Sequence, residues 1–68
     1  MRVLNHVREL RFVHGNMTQK ALAERLGVSR QTIIAIENGR YSPSLELAMR
    51  LCASFGRRVE EVFELEHQ

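Results

Sequence analysis

Sixty-eight residues, with ten Lys and Arg against eight Asp and Glu, make one domain near the lower size limit for folding without staples. A single cysteine excludes an internal disulfide and a cysteine-based zinc site, and 44% apolar residues exclude a disordered tail. No run approaches the ~20 apolar residues of a membrane span and no secretory signal opens the chain, so a soluble, cytoplasmic protein is expected.

Val3, Leu4, Val7 and Leu10 recur at helical spacing and predict an amphipathic helix over about residues 2–14, stopped by Gly15-Asn16. Thr18 is an N-cap type residue and predicts a second helix over about 19–26, with Leu22, Ala23 and Leu26 on one side and Gly27 ending it. Ser29 caps a third helix over about 30–38, with Ile33 and Ile36 inside and Asn38-Gly39 closing it. After the loop Ser42-Pro43-Ser44, a fourth helix over about 45–55 presents Leu45, Ala48, Leu51, Cys52 and Phe55 along one stripe. Gly56 stops it, and Val59, Val62 and Phe63 predict a short fifth helix over about 59–63. No strand alternation, repeat or low-complexity stretch is visible. The expected fold is all-α: a compact five-helix bundle in one domain, residues 1–68.

Charge is uneven along this chain. Residues 1–58 hold all ten basic side chains, nine of them Arg, and four acids, whereas residues 59–68 add four Glu and no Lys or Arg. A basic body with an acidic tail suits a polyanion met by one face.

The most informative stretch runs from Gln19 to Glu37. The second and third helices are joined by a very short turn, which needs a residue able to take positive φ; Gly27 supplies it. Helices crossing that closely need a small residue at the contact, and Ala23, four before the glycine, is small. Leu22, Leu26, Val28, Ile33 and Ile36 are the apolar positions that hold the pair at a steep angle. The run TQKALAERLGVSRQTIIAIENGRYSPSLELAMRLCASFG resembles the Cro/lambda-repressor-like helix-turn-helix family in its short single-domain form, and the resemblance covers roughly residues 3–66. Gly15-Asn16-Met17-Thr18 is one residue longer than the family's usual turn, and Phe12-Val13 stand where charged residues are usual.

Helical geometry divides the third helix by face. Ile33, Ile36 and Glu37 point inward; Gln31, Ile34, Ala35 and Asn38 lie broadly opposite, with Arg30 and Thr32 at the flanks. In a major groove Arg30 can pair with guanine O6/N7, Gln31 with adenine N6/N7, and Ile34 and Ala35 can meet thymine methyls. The resemblance independently implies base contacts at Arg30, Gln31 and Ala35, with Thr32 a further one. It also implies phosphate contacts: Gln19 at the start of the second helix with Ser29 beside the turn, then Asn38 and Arg40, with Tyr41 and Ser42 as weaker candidates. In similar proteins an arginine on the first helix and the glutamate before Asn-Gly form an ion pair, which here implies Arg11 with Glu37. Lys20 and Arg25 read as solvated charges.

Other chemistry finds no footing. His6, His14 and His67 lack the spacing of a metal cluster, Cys52 sits on an apolar stripe, and Ser29 has no base beside it. No catalytic residue, metal, cofactor or small-molecule ligand is expected. The expected function is sequence-specific binding of double-stranded DNA by a small transcriptional regulator, a repressor, acting as a homodimer on a palindromic operator. A domain this small reads few base pairs, so two recognition helices about 34 Å apart are needed. Residues 59–68 are a candidate dimer segment, with Phe12 and Val13 a second patch. The alternative is an antitoxin or protein-interaction partner using the same fold, although ten residues after Arg58 are short for neutralising a toxin; a restriction–modification controller is a further DNA-binding possibility.

Overall fold

The computed structural model describes residues 2–66. Seven elements follow in order: strand β1 (Val3–Asn5), helices α1 (Val7–Val13), α2 (Gln19–Leu26), α3 (Arg30–Glu37), α4 (Leu45–Phe55) and α5 (Val59–Val62), and strand β2 (Phe63–Leu65). Three helices begin on a hydroxyl that accepts from an amide three residues on. Thr18 accepts from Ala21, Ser29 from Thr32 and Ser44 from Leu47, so each satisfies a donor the helix start leaves unpaired. The connection between α2 and α3 turns on Gly27, whose φ of 70° lies in the left-handed region. The Val28 amide then donates to the Ala23 carbonyl, closing the end of α2.

The architecture is mostly helical, and it departs from an all-α bundle at the ends. Residues 3–5 do not extend the first helix; they pair antiparallel with 63–65 in a two-stranded sheet, Val3 opposite Leu65 and Asn5 opposite Phe63. The reason is a side chain. The Asn5 Oδ1 accepts from the Val7 amide, starting α1 two residues later, while its Nδ2 donates to the Ile36 carbonyl at 2.8 Å. Asn5 therefore ties β1, α1 and the end of α3 together.

The core gathers Val7, Leu10, Leu22, Ala23, Leu26, Ile33, Ile36, Leu47, Leu51, Cys52, Phe55 and Val62. On α4 the stripe is shifted from expectation: Leu45 is 73% exposed, and Leu47 is buried in its place. Leu45 and Leu47 stand at opposite edges of the buried arc of α4, and the core covers the Leu47 edge. Arg50 crosses to α2, donating from Nη2 to the Leu26 carbonyl at 2.9 Å and occupying an otherwise open helix-end acceptor. His14 sets its ring edge-on to Phe55 at 5.1 Å. Burial, with the Glu60 carboxylate as a lesser contributor, pushes the Cys52 thiol above its ordinary pKa, so it is a protonated, packed group at neutral pH.

Candidate nucleic-acid interface

Helix α3 is fixed from behind. Ile33 and Ile36 are wholly inside, and Glu37 continues the same face with a carboxylate rather than a hydrocarbon. That carboxylate is met by Arg11 of α1 in a two-point contact, Nε to Oε2 at 2.6 Å and Nη2 to Oε1 at 3.0 Å. Both side chains are nearly sealed, 10% and 6% exposed. The third arm of the guanidinium donates to the Met17 carbonyl, and the Gln19 Nε2 donates to Glu37 Oε1 at 3.2 Å. Four elements of sequence, α1, the loop before α2, α2 itself and α3, thus converge on one charge pair. Such a pair holds orientation more than it adds stability, because desolvation offsets much of the attraction.

With the inner face occupied, the remaining side chains of α3 are left for something else. Arg30 and Gln31 are exposed, as is Asn38 at the C-cap, while Thr32, Ile34 and Ala35 are half-buried. Among the described residues, Arg30, Gln31 and Asn38 make no side-chain hydrogen bond within the chain. Thr32 is different: its hydroxyl lies 3.0 Å from that of Ser29, which also caps the helix through the Thr32 amide at 3.2 Å. The hydroxyl pair at the start of α3 is therefore already engaged with itself.

Beyond α3 the chain turns back through Gly39. The Gly39 amide donates to Ile36 and the Arg40 amide to Ala35, so the exposed Arg40 and Tyr41 follow directly from the end of the helix. Gln19 comes from α2 to the same end of α3, its side-chain amide nitrogen already on Glu37. Between α1 and the starts of α2 and α3 lies a cleft of about 490 Å³, lined by Arg8, Arg11, Phe12, Thr18, Gln19, Lys20, Arg30, Glu37 and Asn38. It joins the expected contacts Gln19, Arg30 and Asn38 to the Arg11–Glu37 pair. It also brings in Lys20, read as a solvated charge, and Arg8, which the sequence reading did not single out. Arg8 stands four residues before Phe12, a helical neighbour spacing that was the one available signal. Asn5 and Arg50 also escaped notice, because each acts on a backbone carbonyl far away in sequence.

No group of three or more His, Cys, Asp or Glu among the described residues could hold a metal ion, and His67 lies outside them. No described helix is long and apolar enough to cross a membrane. A short turn locked by a left-handed glycine, an inner face braced by an ion pair and an outer face that presents Arg30 and Gln31 define a helix-turn-helix domain.

Comparison with known proteins places that domain. A model of the helix-turn-helix family matches residues 7–62. An uncharacterised HTH-type transcriptional regulator of Methanocaldococcus jannaschii is 52% identical over 59 residues, covering 87% of this chain and 88% of the relative. The HTH-type regulator YgzD of Bacillus subtilis is 48% identical over 64 residues, 94% and 96% of the two chains. Among solved structures, the restriction–modification controller protein C.AhdI of Aeromonas hydrophila superposes with a TM-score of 0.71 at 29% identity, covering 81% of this chain and 82% of that one. A Bacteroides fragilis protein shares the fold at a TM-score of 0.78 and 21% identity over 91% and 98% of the chains. The chain belongs to the Cro/C1-type helix-turn-helix family of DNA-binding transcriptional regulators.

Proposed function

We propose that this protein is a repressor that binds a short palindromic operator as a homodimer, with α3 lying in the major groove. One observation carries the reading: the outward side chains Arg30 and Gln31 are exposed and unpartnered while the opposite face of the same helix is locked to the scaffold. Arg30 and Gln31 are assigned to base edges, with Ala35, Ile34 and Thr32 beside them. Gln19, Ser29, Asn38, Arg40 and Tyr41 are assigned to phosphates, which set the register without reading sequence. Ser29 joins that set through its free edge only, since its hydroxyl also caps α3. Selection from a random duplex pool tests the proposal. A single enriched motif with two-fold symmetry is expected; recovery of no preferred duplex at low salt, from folded protein, would sink it.

The second copy is supported by what the core leaves outside. Val62 is buried and Phe63 packs against the core, so much of the C-terminal apolar surface serves the chain's own fold. Leu45 and Met49 remain, 73% and 55% exposed and one turn apart on α4, with Val59 and Leu65 also outside. Residues 67 and 68 of the candidate dimer segment lie outside the described residues. Met49→Asp is expected to yield a monomer by light scattering and to weaken operator binding on the order of a hundredfold, the loss of one of two linked contacts. A wild-type chain that stays monomeric on its operator would count against the homodimer.

The likeness to a restriction–modification controller makes control of such a gene pair the second biological setting for the same mechanism. The neighbouring genes decide between the two.

A further inference from the structure

The cleft between α1 and the starts of α2 and α3 has an unusual rim. Arg8, Lys20 and Arg30 come to it from three different helices, and all three are exposed. Among the described residues none of them lies within 4 Å of a carboxylate. The one acid in the lining, Glu37, is already matched by Arg11. The cleft is therefore a concave surface with three uncompensated cations at its mouth and a neutralised floor, which favours an anion.

Phe12 explains how one of these cations, Arg8, is held. Its ring is 53% exposed and belongs to no part of the core, so packing gives no reason for it to be aromatic. The guanidinium carbon of Arg8 lies 5.9 Å from the ring centroid, and that of Arg11 lies 5.7 Å from it. Phe12 thus meets two guanidinium groups, one buried and one exposed. Stacking on Phe12 restricts Arg8, whose side chain otherwise loses much rotamer freedom on engaging a ligand.

We propose that Arg8, held by Phe12, grips a DNA phosphodiester flanking the segment read by α3, making the cleft a further backbone seat. The proposal rests on the DNA-binding reading above. Cations on three helices around an open mouth fit a strand running past better than a compact free anion. The seat carries no sequence information; it lengthens the footprint and adds to the salt dependence.

Arg8→Ala, Arg8→Lys and Phe12→Ala are compared with wild type by fluorescence anisotropy on a mixed-sequence duplex over a range of salt, so that no operator need be known. Arg25→Ala, a charge change outside the cleft lining, is the control. Arg8→Ala is expected to weaken binding roughly three- to tenfold and lower the log–log salt slope by about 0.9, the value of one phosphate contact. Arg8→Lys should keep the slope, and Phe12→Ala should keep the slope while losing affinity. Melting temperatures should be nearly unchanged for the Arg8 variants, because that side chain is exposed, stands in no ion pair among the described residues, and an exposed cation–π contact contributes only about 0.5–1 kcal/mol. On the duplex recovered by selection, where the register is fixed, a neutral methylphosphonate at the gripped position should weaken wild type and not Arg8→Ala. If Arg8→Ala matches wild type in affinity and slope while Arg40→Ala lowers both, the seat is refuted and DNA binding stands. If wild type binds no duplex at low salt, both fall. Saturable submillimolar binding of inorganic phosphate in the cleft, with an unchanged slope for Arg8→Ala, would overturn the proposal in favour of a free anion.

Discussion

Glu37→Ala is expected to unfold a large fraction of the molecules at room temperature. The carboxylate accepts two bonds from Arg11 and one from Gln19, and its loss strands a guanidinium that is almost wholly enclosed. Breaking a buried pair by removing one partner costs about 3–5 kcal/mol. A domain of this size has a total stability of only about 3–10 kcal/mol. The penalty is thus comparable with everything that holds the fold together. Arg11→Met combined with Glu37→Leu should recover most of the loss, since similar-sized apolar groups avoid desolvating any charge. Urea titrations followed by circular dichroism give both numbers. A single substitution costing less than about 1 kcal/mol would mean that water reaches the pair and that it behaves as a surface bridge.

Replacing Gln31 or Arg30 by alanine is expected to leave stability nearly unchanged and to remove discrimination at particular base pairs. Each bidentate contact to a base edge is worth about 1–3 kcal/mol, so the selected motif should relax at one position per half-site for each variant. Arg40→Ala should behave otherwise, weakening all duplexes alike and flattening the salt slope by about 1. The contrast matters because both kinds of variant bind less tightly, and only base preference separates them. Should Arg30→Ala and Gln31→Ala retain wild-type affinity and the wild-type motif, α3 does not lie in the groove as assigned. The Arg11–Glu37 brace would then serve another surface.

How much of the molecule could be read beforehand depended on how far apart the interacting groups stand in the chain. The caps Thr18, Ser29 and Ser44 act three residues ahead, and α2 and α4 occupy the spans their spacing predicts. The Gly27 turn was equally legible, because positive φ is a demand made by one residue. Arg11 and Glu37 were matched only through family resemblance; no periodicity joins positions 26 residues apart. The strands were invisible for the same reason. Val3, Leu4 and Val7 fit a helical spacing, and the partner strand lies some sixty residues on. Leu45 and Leu47 were exchanged because a stripe drawn on a wheel does not reveal where the neighbouring helices stop.

By itself, the sequence determined the helices from α2 to α4, the tight turn and the division of α3 into an inner and an outer face. These are consequences of caps, glycine and a 3.6-residue repeat, all local. Only the tertiary structure decided that residues 3–5 would be a strand, that Asn5 would secure the end of α3, and that Arg8, Lys20 and Arg30 would share one cleft. Those outcomes depend on which distant groups meet. A backbone acceptor or a nearby cation leaves no periodic mark on the chain that encounters it.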